Sequence, residues 1–178
     1  LIDPLTLASL PPREYHEGFA EIIKHAAIRD AAMLPEISRV AASGPAGTGL
    51  APLIARNVAI KAAIVSEDEF ETKGLRALLN FGHTIGHAIE ASAGYGQLLH
   101  GEAISLGIRA ALRLSEEFAG FPAAETQVIL DLLSAFQLPL TLPESITDAQ
   151  IMEKMGRDKK FDQGAIRFVL LRRTGDSF

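Results

Sequence analysis

The chain has 178 residues, 48% of them hydrophobic, and a formal net charge of −5, which excludes a disordered chain and a basic nucleic-acid surface. It contains no cysteine, so disulfides and thiolate metal sites are excluded and any metal must be held by His, Asp or Glu. No apolar run reaches the roughly 18 residues of a membrane span, and the first residues do not read as a signal peptide.

One domain is expected, because roughly 100–200 residues per domain is the ordinary range. The opening Leu1-Ile2-Asp3-Pro4 reads as a strand end cut from something upstream, so a fragment or processed piece is expected. Pro11 and Pro12 predict a helix over 12–30, since proline fits a first helical turn, where its missing N–H costs nothing. A short helix is predicted over 31–42, and Ser43-Gly44-Pro45 breaks it. Further helices are predicted over 50–68, 76–93, 100–119, 122–136 and 147–155, the last capped by Thr147 and Asp148. The β-rich run 166–171, flanked by Gly164 and Gly175, predicts a strand. The expected fold is therefore a mostly α, multi-helix domain with a small β element near the C-terminus.

The most informative segment is 76–90. If it is one α-helix turning ~100° per residue, Arg76, Asn80, His83 and His87 fall within an arc of about 60°. Leu78, Phe81, Ile85 and Ile89 take the opposite side. A merely solvated face would carry Lys and Glu rather than this row. Gly82 and Gly86 each cost up to ~1 kcal/mol in a helix interior, so another backbone or a ligand is expected to come close there.

His83 and His87 stand one turn apart and His100 opens the next predicted helix, so any two of the three could serve a metal. A catalytic zinc often takes two His and one carboxylate and leaves a position open. Glu21, Glu90 and Glu102 are the candidate carboxylates. Glu21 sits within an apolar helix, where an unpaired carboxylate is costly. A metal would resolve that cost, and so would Lys24. His16 and His25 read as ordinary surface residues, and the acidic run 67–71 as a solvated helix end. Lys61 interrupts an apolar helix, where it either snorkels or faces an anion. Together Lys24, Lys61, Arg76 and one of Lys159 or Lys160 could line a pocket for an anionic substrate.

At this point the sequence resembles the 3-dehydroquinate synthase family. The matching blocks are Gly18-Phe19-Ala20-Glu21-Ile22-Ile23-Lys24, the segment 75–90, Gly94-Tyr95-Gly96, Leu99-His100-Gly101-Glu102-Ala103, and Asp158-Lys159-Lys160. They run in the family's order and cover nearly the whole chain. The resemblance implies the C-terminal, helical half of that enzyme, with residues 1–178 forming one metal- and substrate-binding domain. It implies Glu21, His83 and His100 as ligands of zinc, or of cobalt. His87 would then sit near the substrate phosphate and take part in proton transfer, and Glu71 would position water or a proton. Lys24, Lys61, Arg76, Asn80 and Lys159 or Lys160 would bind the substrate, with Lys24 also close to the chemistry.

The implied activity is that of a phosphate-eliminating lyase of the shikimate pathway. It converts 3-deoxy-D-arabino-heptulosonate 7-phosphate to 3-dehydroquinate plus phosphate, with bound NAD. The family's N-terminal, Rossmann-like NAD domain is expected to lie outside these 178 residues, in which no Gly-rich phosphate loop follows a strand. That domain is the expected partner, a homodimer the expected full-length state and the cytoplasm the expected location, with no membrane or nucleic-acid partner. The segment from Glu71 to Arg76 is one residue longer than the family's usual spacing. The rival readings are another sugar-phosphate cyclase, a metal-dependent alcohol dehydrogenase of related fold, and a non-catalytic helical interaction domain.

Overall fold

A computed structural model describes residues 2–44, 49–94, 96–157 and 166–178. Among them the chain is mostly helical, with eight α-helices and one two-stranded sheet. In order these are α1 (Pro12–Glu17), α2 (Phe19–Arg29), α3 (Leu34–Ser43), α4 (Leu50–Glu67), α5 (His83–Ala93), α6 (His100–Ala119), α7 (Ala123–Ala135), α8 (Asp148–Arg157), β1 (Leu171–Arg173) and β2 (Asp176–Ser177).

Helix α2 is the centre of the molecule. Nine of its eleven residues are buried, and it touches α4, α6, α7 and the C-terminal strand β2. Phe19 stacks on Phe136, with ring centroids 3.7 Å apart, and fully buried Ile23, Ile28, Ile104, Ile108 and Leu112 extend the same core. The strands β1 and β2 run antiparallel and are tied down by Gly175, whose N–H donates to the Ala27 carbonyl at 2.8 Å. Leu171 is buried in the same core, and its N–H donates to Ser115 Oγ at 3.0 Å.

Helices α5 and α6 pack unusually close, and glycine makes that possible. A Cβ at Gly107 would lie 2.0 Å from the Gly82 carbonyl, and one at Gly82 would lie 2.8 Å from Ile108 N. The close approach expected at Gly82 and Gly86 is therefore another backbone, that of α6.

Several predicted elements divide where the sequence shows one pattern. The helix predicted over 12–30 is two, with Gly18 between α1 and α2. That over 31–42 begins as a 3-10 turn, Ala31–Met33, before α3. The helix predicted over 76–93 is wrong in its first third: Arg76–Asn80 is a 3-10 helix, and Gly82, at φ 77°, starts α5 afresh at His83. The predicted strand over 166–171 lies too early, because Ile166 to Val169 take no strand partner and β1 starts at Leu171. Thr147 does cap α8: it exchanges hydrogen bonds with Gln150 in both directions, at 2.8 and 3.3 Å.

Candidate metal centre

Three chain segments build the site. Helix α2 supplies Glu21, Lys24 and His25, α4 and the loop after it supply Lys61 and Glu71, and the segment 76–100 supplies Arg76, Asn80, His83, His87 and His100. All ten line one cavity of about 410 Å³. Lys159 and Lys160 lie outside the described residues.

The imidazoles of His83, His87 and His100 each offer a ring nitrogen within 4.8 Å of the others. His83 and His87 are neighbours on one face of α5 because they are one turn apart. His100 arrives at the N-terminus of α6, which the glycine contacts hold against α5. The His83 ring centroid stands 5.6 Å from that of His100 and 5.0 Å from that of His87. Glu21 reaches the cluster through His83, its Oε1 being 3.2 Å from Nε2.

Hydrogen bonds decide which nitrogens are bare. His83 Nδ1 lies 3.1 Å from the Phe81 carbonyl, which can only accept, so Nδ1 carries the proton. The Nε2 of the neutral ring is then a lone pair. His100 Nδ1 lies 3.1 Å from Glu90 Oε2, and the same reasoning leaves its Nε2 free to ligate. Glu21 Oε1 is fully buried and takes part in no hydrogen bond. Two electron-rich atoms, Glu21 Oε1 and His83 Nε2, therefore face each other at 3.2 Å with nothing between them to be shared. An oxygen and a nitrogen donor so placed, with a further imidazole beside them, fit a divalent cation such as zinc or cobalt.

Glu21 also meets Lys24, with Nζ donating to Oε2 at 2.7 Å. Burial pushes the Glu21 carboxyl up, but a protonated His83 and the Lys24 ammonium outweigh it and hold the group well below the usual carboxylate range. Lys24 is itself 3% exposed. Burial lowers its ammonium below the ordinary lysine value, Glu21 opposing and Lys61 reinforcing the shift. The two pairings weighed for Glu21, a metal or Lys24, are therefore compatible, one oxygen for each.

Two surface readings of the sequence are corrected. His25 is buried, at 2% exposure, and its Nδ1 donates to Asn57 Oδ1 on α4 at 2.5 Å. Its Nε2 is buried without a hydrogen-bond partner. The packing of α4 on α2 buries it. The acidic run at the end of α4 is not merely solvated, since Asp68 is 2% exposed. Its carboxylate accepts backbone N–H bonds from Thr72, Lys73 and Arg76. Glu102, a candidate ligand, instead binds Arg13 with both oxygens at 2.6 Å. Glu90 orients His100. That role was visible in principle, because Glu90 follows His83 by seven residues and so shares its helix face.

Residues 18–161 match the family described as 3-dehydroquinate synthase C-terminal. The 3-dehydroquinate synthase of Methylacidiphilum infernorum is 44% identical over 174 residues, covering 98% of this chain and 47% of that protein. That of Geobacillus kaustophilus is 44% identical over 178 residues, covering 98% and 48%. The chain thus spans about half the length of the curated relatives it matches. Among solved structures, ValA, the 2-epi-5-epi-valiolone synthase from Streptomyces hygroscopicus with NAD+ and Zn2+ bound, superimposes with a TM-score of 0.88. Its identity is 27%, over 100% of this chain and 50% of that one. A 2-deoxy-scyllo-inosose synthase complexed with carbaglucose-6-phosphate, NAD+ and Co2+ shares the fold at a TM-score of 0.80 and 24% identity.

Proposed function

This chain belongs to the 3-dehydroquinate synthase C-terminal family, and from that premise we propose that it is the metal- and substrate-holding half of a 3-dehydroquinate synthase. The reaction is conversion of 3-deoxy-D-arabino-heptulosonate 7-phosphate to 3-dehydroquinate plus phosphate. The partner is the N-terminal NAD-binding domain of the same enzyme, which as a whole is a homodimer in the cytoplasm. The observation that carries this reading is the facing pair of bare donors, Glu21 Oε1 and His83 Nε2 at 3.2 Å, in a cavity lined by three cations, Lys24, Lys61 and Arg76.

The metal ligands in this reading are Glu21, His83 and His100, with the ring protons of the two imidazoles held by Phe81 O and Glu90. When bound, a divalent cation supplies Lewis acidity at a substrate hydroxyl, and NAD supplies a hydride acceptor and donor. The rest falls to this chain's own side chains. Lys24, Lys61 and Arg76 neutralise the substrate's carboxylate and phosphate. Asn80 hydrogen-bonds a hydroxyl. His87, next to the ligands but not one of them, moves a proton at the phosphate-bearing end, and Glu71 holds a water or proton at the cavity edge. The protein's main task is to orient one flexible substrate through several steps. Lys159 or Lys160 completes the anion site in the family's pattern.

A second reading, another sugar-phosphate cyclase, draws on the TM-score of 0.88 to a 2-epi-5-epi-valiolone synthase. The higher identity to 3-dehydroquinate synthases, 44% against 27%, favours the first, and identification of the product decides between them. The test of the ligand set uses the full-length enzyme. His83→Ala is expected to lose both metal and activity, while His87→Ala keeps one metal per chain and loses about 100-fold or more in kcat. Equal metal loss in the two variants would show this division of roles to be wrong.

A further inference from the structure

The loop from α4 to the 3-10 helix delivers two cavity residues, Glu71 and Arg76, and it is organised around a buried carboxylate. Asp68 ends α4, its own N–H donating to the Ile64 carbonyl at 3.1 Å. Its side chain turns inward and is 2% exposed. Oδ1 accepts from Thr72 N at 2.8 Å and from Lys73 N at 3.0 Å, and Oδ2 accepts from Arg76 N at 3.1 Å. Among the described residues no cationic side chain pairs with it. Backbone N–H groups, Lys73 first, outweigh the burial of this carboxylate and hold it below the usual carboxylate range, so the charge and the shape of the loop sustain each other. Here that shape includes Glu71, a non-glycine residue at φ 56°, whose conformation is held by the N–H groups of the two residues after it. The guanidinium of Arg76 is steadied from the same loop, donating to the Glu69 carbonyl at 3.1 Å.

We propose that Asp68 is a positioning residue of the substrate cavity: its carboxylate, by gripping the amides of Thr72, Lys73 and Arg76, sets the placement of the Arg76 cation and the Glu71 carboxylate. The inference rests on the reading that this cavity takes a sugar phosphate. Asp68→Asn is the informative substitution because it preserves size. An amide has only one accepting atom, so it presents N–H to N–H on one side of the loop and releases either Arg76 or the Thr72–Lys73 pair.

The experiment is a double-mutant cycle in the full-length enzyme with Asp68→Asn, Arg76→Ala and both together. It reads KM for 3-deoxy-D-arabino-heptulosonate 7-phosphate, kcat, bound metal and the thermal midpoint. Asp68→Asn is expected to raise KM about tenfold with metal content unchanged, and to add less than about twofold in the Arg76→Ala background. The same fold-increase in both backgrounds, or an unchanged KM, overturns the inference. Should Asp68→Asn fail to fold, amide hydrogen exchange in the wild-type enzyme tests the grip directly. Protection of the Thr72, Lys73 and Arg76 amides as a set is expected, and exchange at open-loop rates overturns it. Absence of wild-type turnover on this sugar phosphate would sink the functional reading instead, and the exchange measurement would still test Asp68.

Discussion

His83 and His100 are alike in what their Nδ1 atoms touch, and unlike His25, which shares the arrangement, both belong to the histidine cluster. Each is tied to an acceptor, the Phe81 carbonyl or Glu90, so each ring is fixed with Nε2 bare. For His100 that anchor is a side chain and can be removed. Glu90→Ala is expected to weaken zinc binding about 10–100-fold, read by chelator competition, because the ring then samples orientations and tautomers that do not ligate. An unchanged affinity would show that Glu90 does not orient His100. His25 supplies a pH prediction. Burial first, and the Lys24 charge second, hold its imidazole below the ordinary histidine value. Above about pH 6.5 both folded and unfolded forms are neutral at this group and nothing is lost. As pH falls through the unfolded value and then the lower folded one, the unfolded chain takes the proton first, so stability declines. Denaturant unfolding between pH 7 and 5 should show this slope, and His25→Gln should flatten it by up to about one proton. A slope identical in the two proteins would count against burial of His25.

The helix pair α5–α6 is what turns separate histidines into a cluster, and its closeness depends on hydrogen atoms where other residues have a Cβ. Gly107→Ala would place a methyl 2.0 Å from the Gly82 carbonyl and 2.7 Å from Gly86 N, both backbone atoms that cannot turn aside. Overpacking typically costs 1–3 kcal/mol, and here about 3 is expected, with weakened metal binding as His83 and His100 part. Gly156→Ala in α8, where a Cβ meets nothing within 4 Å, should instead be neutral or stabilise by up to about 1 kcal/mol. Urea midpoints for the two variants separate these outcomes. Elements of this kind were only partly legible. The helical period located α4, α6 and α7 closely because each presents an apolar stripe to the core. The period over 76–93 misled, because Phe81 and Gly82 interrupt the helix while the polar residues on either side still alternate as if it were continuous. Arg76 and Asn80 do reach the same cavity as His83 and His87, but by a change of direction at Gly82 rather than by sharing a wheel.

Across the whole molecule, the cavity combines a cation-binding corner with three positive side chains, yet the chain spans about half the length of its curated relatives. In the function proposed for this chain, NAD is held by the other half. The isolated 178-residue chain is therefore expected to bind one zinc or cobalt per molecule and to give no 3-dehydroquinate with NAD and substrate, while the full-length enzyme does. Turnover by the isolated chain at the full enzyme's rate would refute this division. Residue types and local patterns alone determined the helical class, the absence of thiolate ligands, the candidate histidines and the motif blocks of the family. These depend on short-range periodicity and on side-chain chemistry that travels with the sequence. Only the tertiary structure decided that Glu21 meets His83, that Glu90 rather than Glu102 serves His100, and that His25 and Asp68 are buried. Each of those facts depends on which helices are pressed together, and that is set by packing between residues tens of positions apart, which no local pattern encodes.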